Sequence, residues 1–478
     1  MDKHFSYNKT KIVATVGPSS QEKETLRELI RTGVDVFRLN FSHGSHDDHL
    51  RNIQAIRSLN QELGTHIAIL QDLQGPKIRV GEIKDGSIEL KVGELLTITT
   101  QKIEGNTEKV STDYTLLPQD VEQGDPILID DGNLELRVIS KTNEEVRAEV
   151  VHGGKLKSRK GINLPTAYVS APSLTEKDIE DLEFGLKNDV DWIALSFVRS
   201  ADDIKELKKR ISQTSCAAKV IAKIEKPQAV DNIDEIIRET DAIMVARGDL
   251  GVEIPMESVP LIQKDVIKKC NINARPAIVA TQMLESMIHN PRPTRAEASD
   301  VANAIMDGAD AIMLSAETAA GNYPALSVKS MVKIAHAIEE NVIKVYHRNY
   351  NLDQTSETYN NDRVLASAAT LAKDTCARAI TGISFTGYTA FGLSRFRPIA
   401  DIFIFTENKK LLNQINLIWG VRGYYYTGFE STDDVIEGIK SILAESGFIH
   451  KGDVMVNTGT LPVSTRERTN TVRLTTVD

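Results

Sequence analysis

The sequence predicts an α/β protein made of a (β/α)8 barrel, a small all-β lid domain inserted in that barrel, and an open α/β domain at the C-terminus. Three features predict this fold: eight short apolar runs with helical stretches between them, one long segment that alternates apolar and polar residues, and further strand-like runs after a polar linker. At roughly 150 residues per domain, a chain of 478 residues has room for about three domains.

The eight apolar runs are continuous rather than alternating, which is typical of parallel strands covered by helices on both faces. Amphipathic stretches such as 22–33 and 175–188 predict the covering helices, and eight strand–helix units predict a closed barrel. The strands are expected at 11–16 (KIVATV), 34–39 (VDVFRL), 66–70 (HIAIL), 191–197 (DWIALSF), 218–224 (AKVIAKI), 241–246 (DAIMVA), 276–281 (PAIVAT) and 310–315 (DAIMLS).

Between the third strand and the helix at 175, alternating segments bounded by glycines, such as SIELKVGELLTITT and EEVRAEVVHGG, predict a small all-β domain. This insertion follows the C-terminal end of a barrel strand, where it could act as a lid. A polar linker at 345–363, a helix at 364–379 and five strand-like runs predict the third domain. The expected domains are the barrel at 1–75 and 173–344, the lid at 76–172 and the C-terminal domain at 345–478.

The net charge and the cysteine content argue against several classes of function. The formal net charge is −10, so we expect no general affinity for nucleic acid, and any anion must be bound by local cations in a pocket. Cys216, Cys270 and Cys376 lie far apart without metal-ligand spacing and fit a reducing cytosol. The opening MDKHFSYNKTK lacks the apolar segment of a secretory signal, and no apolar run is long enough for a membrane span. We therefore expect a soluble, cytoplasmic protein that binds no membrane.

Charged and polar residues collect where the predicted barrel strands end, which is the face that carries the active site in (β/α)8 barrels. Four or more cations and several carboxylates would converge there. They are Arg38 to Gly44 after the second strand, Asp72 with Lys77 and Arg79 after the third, Lys223 and Glu225 on the fifth, Arg247 to Asp249 after the sixth, Thr281 and Gln282 after the seventh, and Ser315 to Glu317 after the eighth.

Two of these carboxylates predict a metal site. Glu225 and Asp249 are hard oxygen donors on neighbouring strands, and Mg²⁺ is usually bound by one or two carboxylates together with water and substrate oxygens. The alternative is that Glu225 and Asp249 only form salt bridges with Lys223 and Arg247. The barrel context favours the metal.

The cations suit a phosphorylated substrate. Arg38 offers a planar fork and Lys223 a compact point charge, the groups that phosphoryl transfer needs most beside a metal. The segment GDLGVE at 248–253 predicts a tight turn that opens a short helix, with N–H groups that could bind an anion or serve the turn alone. His43 could line a nucleotide pocket or be structural. The residues alone therefore predict a Mg²⁺ enzyme for a small, phosphorylated substrate under a β lid.

Eight motifs resemble the pyruvate kinase family, in order along the barrel and the lid, and the domain layout matches to the C-terminus. They are RLNFSHG (38–44), QDLQGPKIR (71–79), KGINLP (160–165), AKIEKPQAV (222–230), VARGDLGVE (245–253), ATQMLESM (280–287), PTRAEASDVANAI (293–305) and LSAETAAGNYP (314–324).

The resemblance implies phosphoryl transfer from phosphoenolpyruvate to ADP, which gives pyruvate and ATP in glycolysis with Mg²⁺, or Mn²⁺ in its place. It implies that Glu225 and Asp249 are the metal ligands and that Lys223, with Arg38 beside it, stabilises the transferring group. The backbone of Gly248 and Asp249 would bind the substrate carboxylate together with Thr281, which also lies on a proton relay to the enolate carbon. The nucleotide-binding residues expected are Asn40, His43, Arg79 and Lys160, the last brought in when the lid closes.

The segment QDLQGPKIR also resembles one branch of the family. In pyruvate kinases that bind K⁺, the position of Lys77 is Glu, and Thr and Lys stand at the positions of Leu73 and Gln74. The trio found in this chain resembles the K⁺-independent branch, which implies that the Lys77 ammonium supplies the charge that K⁺ supplies elsewhere. The alternative is a solvated loop lysine. The K⁺-binding positions of the family match Asn40, Ser42, Asp72 and the backbone of Leu73.

The third domain resembles the effector domain of the family, which is usually a homotetramer. The segment SFTGYTAFG (384–392) follows a strand and opens a helix, so its hydroxyl and N–H groups could bind a phosphorylated allosteric effector. Tyr388 stands where the family often has Arg, so a purely structural loop is the alternative. The candidate effector residues are Ser384, Thr386, Gly387 and Thr389.

Two other functions fit part of the pattern. A Mg²⁺-dependent aldolase or lyase barrel that binds pyruvate enolate would explain Glu225 and Asp249, but would leave Arg79, Lys77 and the lid without a role. A non-catalytic, effector-binding relative is the other alternative, although every expected catalytic position is filled.

Overall fold

A computed structural model describes residues 8–428, 432–461 and 467–478. The first seven residues, on which part of the expectation about a secretory signal depends, lie outside these ranges, as do short parts of the expected C-terminal domain. Within the described ranges, no helix combines the length and apolar character that crossing a bilayer requires.

Eight parallel strands close into a barrel, which confirms the predicted fold class. The first three are β1 (Lys11–Thr15), β2 (Val36–Asn40) and β3 (Ala68–Asp72). The inserted domain contributes β4 (Ser87–Leu90), β5 (Leu95–Thr99), β6 (Lys109–Ser111), β7 (Pro126–Ile129), β8 (Leu134–Lys141), β9 (Glu145–His152), β10 (Gly154–Lys157) and β11 (Ile162–Asn163). The barrel closes with β12 (Trp192–Leu195), β13 (Lys219–Ile224), β14 (Ala242–Ala246), β15 (Ala277–Ala280) and β16 (Ala311–Leu314).

The helices follow the amphipathic stretches, and three of them begin at the capping-box residues Ser45, Thr175 and Thr294. Those that precede the C-terminal domain are α1 (Lys23–Thr32), α2 (His46–Leu63), α3 (Leu117–Asp120), α4 (Glu176–Lys187), α5 (Ala201–Ser212), α6 (Pro227–Asp231), α7 (Ile233–Glu239), α8 (Arg247–Glu253), α9 (Val259–Ile272), α10 (Arg295–Asp307), α11 (Ala316–Ala319) and α12 (Pro324–Asn341). The barrel helices pack on the strands and bury a continuous apolar layer that includes Leu26, Ile56 and Val245.

The inserted domain, called the lid below, has its own core. Its main sheet has the strand order β11-β7-β8-β9-β5-β6, and β10 pairs with β4 in a separate two-stranded sheet. Alternate residues of β8 and β9 are buried, as the apolar–polar alternation predicts. The buried side chains of these strands form a cluster separate from that of the barrel.

The C-terminal domain is an open sheet in the order β19-β18-β17-β20-β21, parallel except for the edge strand β21. Its helix α13 begins at Tyr359, inside the stretch predicted as linker, because Asp362 in the first turn bonds Thr358 and Tyr388. The elements are α13 (Tyr359–Asp374), β17 (Ala379–Ile383), α14 (Tyr388–Ser394), β18 (Asp401–Thr406), α15 (Lys409–Gln414), β19 (Val421–Tyr425), α16 (Thr432–Glu445), β20 (Val454–Gly459) and β21 (Thr471–Thr476).

The C-terminal domain closes the N-terminal end of the barrel. A helical turn at Ile415–Leu417 places the fully buried Leu417 among barrel-interior residues such as Val13 and Trp192. The indole N–H of Trp192 donates to the Gln414 carbonyl at 3.3 Å. Beside this contact, the buried Arg397 guanidinium forms two bonds of 2.9 Å with the Asp310 carboxylate. Leu417 of the C-terminal domain therefore belongs to the core of the barrel interior, so this part of the core is shared.

We predict that Leu417→Ala destabilises the protein by about 3 kcal/mol, because it leaves a cavity in a closed apolar site. Urea unfolding followed by tryptophan fluorescence measures this directly, since the two tryptophans of the chain, Trp192 and Trp419, both lie at this junction. The matched control is Leu474→Ala on β21, where the side chain is 45% exposed. Equal losses of stability in the two variants would contradict the shared core.

Candidate active site

A buried carboxylate organises the C-terminal mouth of the barrel. Asp72 is the last residue of β3 and is 1% exposed. One of its oxygens accepts a hydrogen bond of 2.6 Å from Nε of Arg38, and the other lies 3.3 Å from Nζ of Lys223. Arg38 also donates to Oγ1 of Thr15 at 3.0 Å. Asp72 therefore fixes two cations from two other strands side by side.

The acidic and basic groups of this cluster stabilise one another in their ionised forms. Burial alone would raise the pKa of the Asp72 carboxyl. The positive charges of Lys223 and Arg38 together lower this pKa by more than burial raises it, so the net shift is downward. Burial lowers the pKa of the Lys223 ammonium, but Asp72 and Glu225 outweigh burial and raise the pKa. Asp72 and Lys223 are therefore both ionised at neutral pH.

The end of β12 supports Lys223 and Glu225. Nζ of Lys223 lies 2.9 Å from Oε1 of Glu225 and donates to Oγ of Ser196 at 2.7 Å. Ser196 in turn donates to the carbonyl of Leu73 at 2.7 Å. The backbone N–H of Phe197 donates to Oε2 of Glu225 at 2.8 Å, and Phe197 has a φ of 54°. A bulky residue in this left-handed region is strained, which is common at functional sites.

The donor set fits Mg²⁺. Burial raises the pKa of the Glu225 carboxyl, Lys223 lowers it and the Asp249 carboxylate raises it, with a net upward shift. Two carboxylates that disfavour each other's charge would be stabilised by a divalent cation between them. The described residues form no group of three acidic, His or Cys side chains arranged for a metal. Glu225 and Asp249 would therefore share the ion with water and substrate oxygens, as Mg²⁺ prefers.

The ends of β14 and β15 meet at Thr281. Its hydroxyl accepts a hydrogen bond of 2.7 Å from the Gly248 N–H and donates to the Ala280 carbonyl at 2.6 Å. Thr281 has a φ of 66°, a strained value for a β-branched residue. The short helix predicted within 248–253 is present as α8, but it begins without a preceding turn at Arg247, which is held by Asp300 at 2.7 Å. Gly248 and Asp249 thus lie in the first turn of α8.

Comparison with known proteins identifies the family. The model of the pyruvate kinase barrel domain matches residues 7–328, and that of the pyruvate kinase alpha/beta domain matches residues 362–475. The chain belongs to the pyruvate kinase family. The pyruvate kinase of Staphylococcus aureus strain MRSA252 is 43% identical over 470 residues, which cover 98% of this chain and 80% of the relative. That of strain USA300 has the same identity and coverage.

A solved structure agrees. A pyruvate kinase from Cryptosporidium parvum superposes with a TM-score of 0.92 and 35% identity, over 98% of this chain and 96% of that one. The family resemblance inferred from eight sequence motifs is thereby confirmed, and the chain is a phosphotransferase. The comparisons do not favour the aldolase or lyase alternative.

Two lid residues expected to bind the nucleotide, Arg79 and Lys160, have partners that lie away from Glu225 and Asp249. Nζ of Lys160 lies 2.5 Å from the Asp130 carboxylate, and Arg79 donates to the Arg159 carbonyl at 3.2 Å. Lys77 differs, because its Nζ lies 4.0 Å from Oδ1 of Asp249. Lys77 is therefore paired with Asp249 at the C-terminal mouth of the barrel, whereas the partners of Arg79 and Lys160 lie within the lid.

The positions expected for a monovalent cation lie together at the end of β2 and β3. Asn40 pairs with Asp72 in the strand register, and its side-chain oxygen accepts from the Ser42 N–H at 3.2 Å. His43 is exposed on the following loop, where its N–H donates to the Asn40 carbonyl at 3.2 Å. Within the described ranges, Lys77 forms no hydrogen bond or ion pair with these residues; its ion-pair partner is Asp249.

Sequence reasoning missed three residues of the site: Thr15, Ser196 and Phe197. Thr15 and Ser196 contribute side-chain hydroxyls, so reading the ends of the first and fourth strands, KIVATV and DWIALSF, would have found them. Phe197 contributes a backbone N–H, which its residue type does not indicate. By contrast, Glu317 at the eighth strand accepts hydrogen bonds from the N–H groups of Leu284 and Ser315. That carboxylate holds loops together.

The candidate effector loop borders an open pocket in the C-terminal domain. Ser384 accepts a hydrogen bond of 3.0 Å from the Gly387 N–H, and the hydroxyls of Thr389 and Thr469 lie 2.8 Å apart. Gly387 has a φ of 93°, which favours glycine at this start of α14. Thr386 also lines the pocket, together with Arg468.

We predict that Glu225→Gln stabilises the metal-free protein increasingly as pH rises. The folded pKa of Glu225 lies above its ordinary 4.5, so its ionised form is disfavoured by folding, and this cost is absent in acid and complete above the folded pKa. Melting temperatures of variant and unmodified protein at about pH 5 and about pH 8 measure the difference. Exposed Glu89→Gln controls for the exchange itself. A difference that shrinks as pH rises would contradict the assignment.

Proposed function

We propose that this protein transfers the phosphoryl group of phosphoenolpyruvate to ADP, giving pyruvate and ATP, with Mg²⁺ or Mn²⁺ and without a need for K⁺. The observation that carries the proposal is the buried carboxylate of Asp72, which holds Arg38 and Lys223 beside Glu225 in a chain of the pyruvate kinase family. This reaction requires fixed positive charge more than a covalent nucleophile.

Charge balance explains why two cations are held so rigidly. Two anionic substrates must meet, and two like unit charges 4 Å apart repel by about 4 kcal/mol at an effective dielectric near 20. Arg38 and Lys223 are preorganised by Asp72, so little reorganisation is needed when charge develops on the phosphoryl group. Their side chains are only 11% and 12% exposed, which limits screening by water.

The remaining residues would bind and orient the substrates. Glu225 and Asp249 would hold Mg²⁺, which when bound supplies Lewis-acid stabilisation of substrate oxygens. The N–H groups of Gly248 and Asp249 would bind the substrate carboxylate. For this, the hydrogen bond from the Gly248 N–H to the Thr281 hydroxyl would break, and the N–H would donate to the substrate. The Thr281 hydroxyl would lie on the proton relay to the enolate carbon, for which its own proton would leave the Ala280 carbonyl and be replaced from the relay.

The lid would complete the nucleotide site by moving. Lys160 would leave Asp130, and Arg79 would leave the Arg159 carbonyl, to reach the nucleotide phosphates. Asn40 and His43, at the end of β2 and on the exposed loop after it, would line the rest of the pocket. Exclusion of water by the closed lid would strengthen the electrostatic interactions beneath it.

Lys77 would replace K⁺ by bringing a fixed ammonium to the rim. Its distance of 4.0 Å from the Asp249 carboxylate supports this role, because the charge sits beside a proposed metal ligand.

The C-terminal pocket would bind a phosphorylated effector through Ser384, Thr386, Gly387 and Thr389, and we extend the proposal to a homotetramer in the cytoplasm that acts in glycolysis. The absence of disulfides among the described cysteines is compatible with a reducing compartment. A panel of phosphorylated metabolites in a coupled assay identifies the effector, and light scattering coupled to size exclusion gives the oligomeric state.

We predict that Lys223→Met lowers kcat by about 10²–10³, the usual cost of removing one preorganised charge from a transition state. Formation of ATP from phosphoenolpyruvate and ADP in a coupled assay measures it. Exhaustive chelation of divalent ions should abolish the activity of the unmodified enzyme, and added Mg²⁺ or Mn²⁺ should restore it. Exposed Lys155→Met on the lid is the matched control. Full activity after chelation, or an unchanged rate in Lys223→Met, would refute the proposed function.

We predict that the unmodified enzyme has the same rate with Na⁺ or K⁺ as the monovalent salt, and that Lys77→Glu lowers kcat/KM at least about tenfold without K⁺. K⁺ should partly restore the variant, because it would offset the new carboxylate. The control is exposed Lys155→Glu, which makes the same change of charge on the lid. Strong activation of the unmodified enzyme by K⁺ would contradict the role of Lys77.

A further inference from the structure

The lid contacts one short helix of the barrel, α8, at two points and approaches it at a third. Nζ of Lys77, on the segment that enters the lid, lies 4.0 Å from Oδ1 of Asp249. Gly132 in the turn between β7 and β8 is so close that a Cβ built on it would lie 3.9 Å from Cγ1 of Val252. Asn163, the last residue of β11, donates a hydrogen bond of 2.7 Å to Oε1 of Glu253.

The contact at Glu253 is buried and charged. Glu253 is the last residue of α8 and is 4% exposed, and its Oε1 also pairs with Nζ of Lys226, which is 9% exposed. Its Oε2 is buried and has no hydrogen-bond partner among the described residues. A buried ion pair is weak support for stability, because desolvation offsets most of the attraction. The main effect of the Glu253 carboxylate is geometric, because it holds together α8, the end of β13 and the lid strand β11.

The two partners of Glu253 lead to the catalytic site and to the lid. Lys226 directly follows the proposed metal ligand Glu225, and its ammonium lies 5.7 Å from the ring centre of Phe197, whose N–H binds that ligand. Asn163 belongs to the lid sheet, where β11 pairs with β7. Glu253 itself lies four residues after Asp249, about one helical turn along α8.

Helix α8 is held by several tertiary contacts, among them the buried Leu250 and the hydrogen bond from the Gly248 N–H to Thr281. It has seven residues, and Ala246 at its N-cap provides no side-chain hydrogen bond, so tertiary contacts must hold it in place. At its N-terminal end, Arg247 is fixed by Asp300. At its C-terminal end, the carboxylate of Glu253 is the charged anchor.

We propose that Glu253 is a positioning residue that links the lid to the helix carrying Asp249. Asn163 from the lid and Lys226 from the end of β13 hold its carboxylate from two sides, so a movement of the lid shifts α8 and with it Asp249. This inference rests on the proposed function in taking Asp249 as a metal ligand. A change at this one contact is therefore expected to alter both the position of the lid and the affinity of the site for the metal.

The test removes the lid contact and keeps the ion pair. Asn163→Ala leaves Lys226 and Glu253 intact, and Asn143→Ala, in an exposed turn of the lid, is the matched control. We expect the dissociation constant for Mn²⁺, measured by electron paramagnetic resonance of free Mn²⁺, to rise about tenfold in Asn163→Ala, as for loss of one hydrogen bond to a charged group. Amide exchange at 247–253 should become faster in the same variant, and neither change should occur in the control.

Unaltered Mn²⁺ affinity and unaltered exchange at 247–253 in Asn163→Ala would overturn the inference while leaving the proposed function intact. Absence of Mn²⁺ binding in the unmodified protein would overturn both. If Asn163→Ala does not fold, exchange in the unmodified protein decides the question. Mn²⁺ should then slow exchange at 160–164 together with 247–253, and slowing confined to 247–253 would overturn the link.

Discussion

The active-site end of this molecule depends on one buried carboxylate. Asp72 is almost fully removed from water, so it must be paired, and both of its oxygens face cations from two other strands, Arg38 and Lys223. Because Asp72 is occupied, it is a poor metal ligand. Glu225, which shares Lys223 but keeps a raised pKa beside Asp249, is the better one. A single burial constraint thus separates the groups proposed to bind phosphoryl oxygens from those proposed to bind the ion.

The same site is held from two directions. From below, the C-terminal domain fills the floor of the barrel with Leu417 and contacts Trp192 at the start of β12, the strand that leads to Ser196 and Phe197. From above, the lid contacts α8 through Asn163 and Glu253. The residues between these two supports are strained or buried, which is the condition in which small displacements have large electrostatic effects.

The barrel was predictable because its strands are continuous apolar runs, yet their ends were not. The third strand was expected at 66–70 and lies at Ala68–Asp72, because pairing of Asn40 with Asp72 decides where it ends. Arg38, Lys223, Glu225 and Asp249 could be proposed from residue type at strand ends. Phe197 could not, since it contributes a backbone N–H through a left-handed conformation. The contact of Asn163 with Glu253 joins residues 90 apart in the chain and depends on how the lid docks.

The most direct test of the central claim is a crystal structure of the protein grown with Mn²⁺, with anomalous diffraction measured at the manganese edge. The account predicts one strong peak at the barrel mouth, within coordination distance of both Glu225 and Asp249, while Asp72 keeps Arg38 and Lys223 as its partners. A peak bound to Asp72 in place of Lys223 would contradict it, because the buried carboxylate would then be a metal ligand and not the anchor of the two cations.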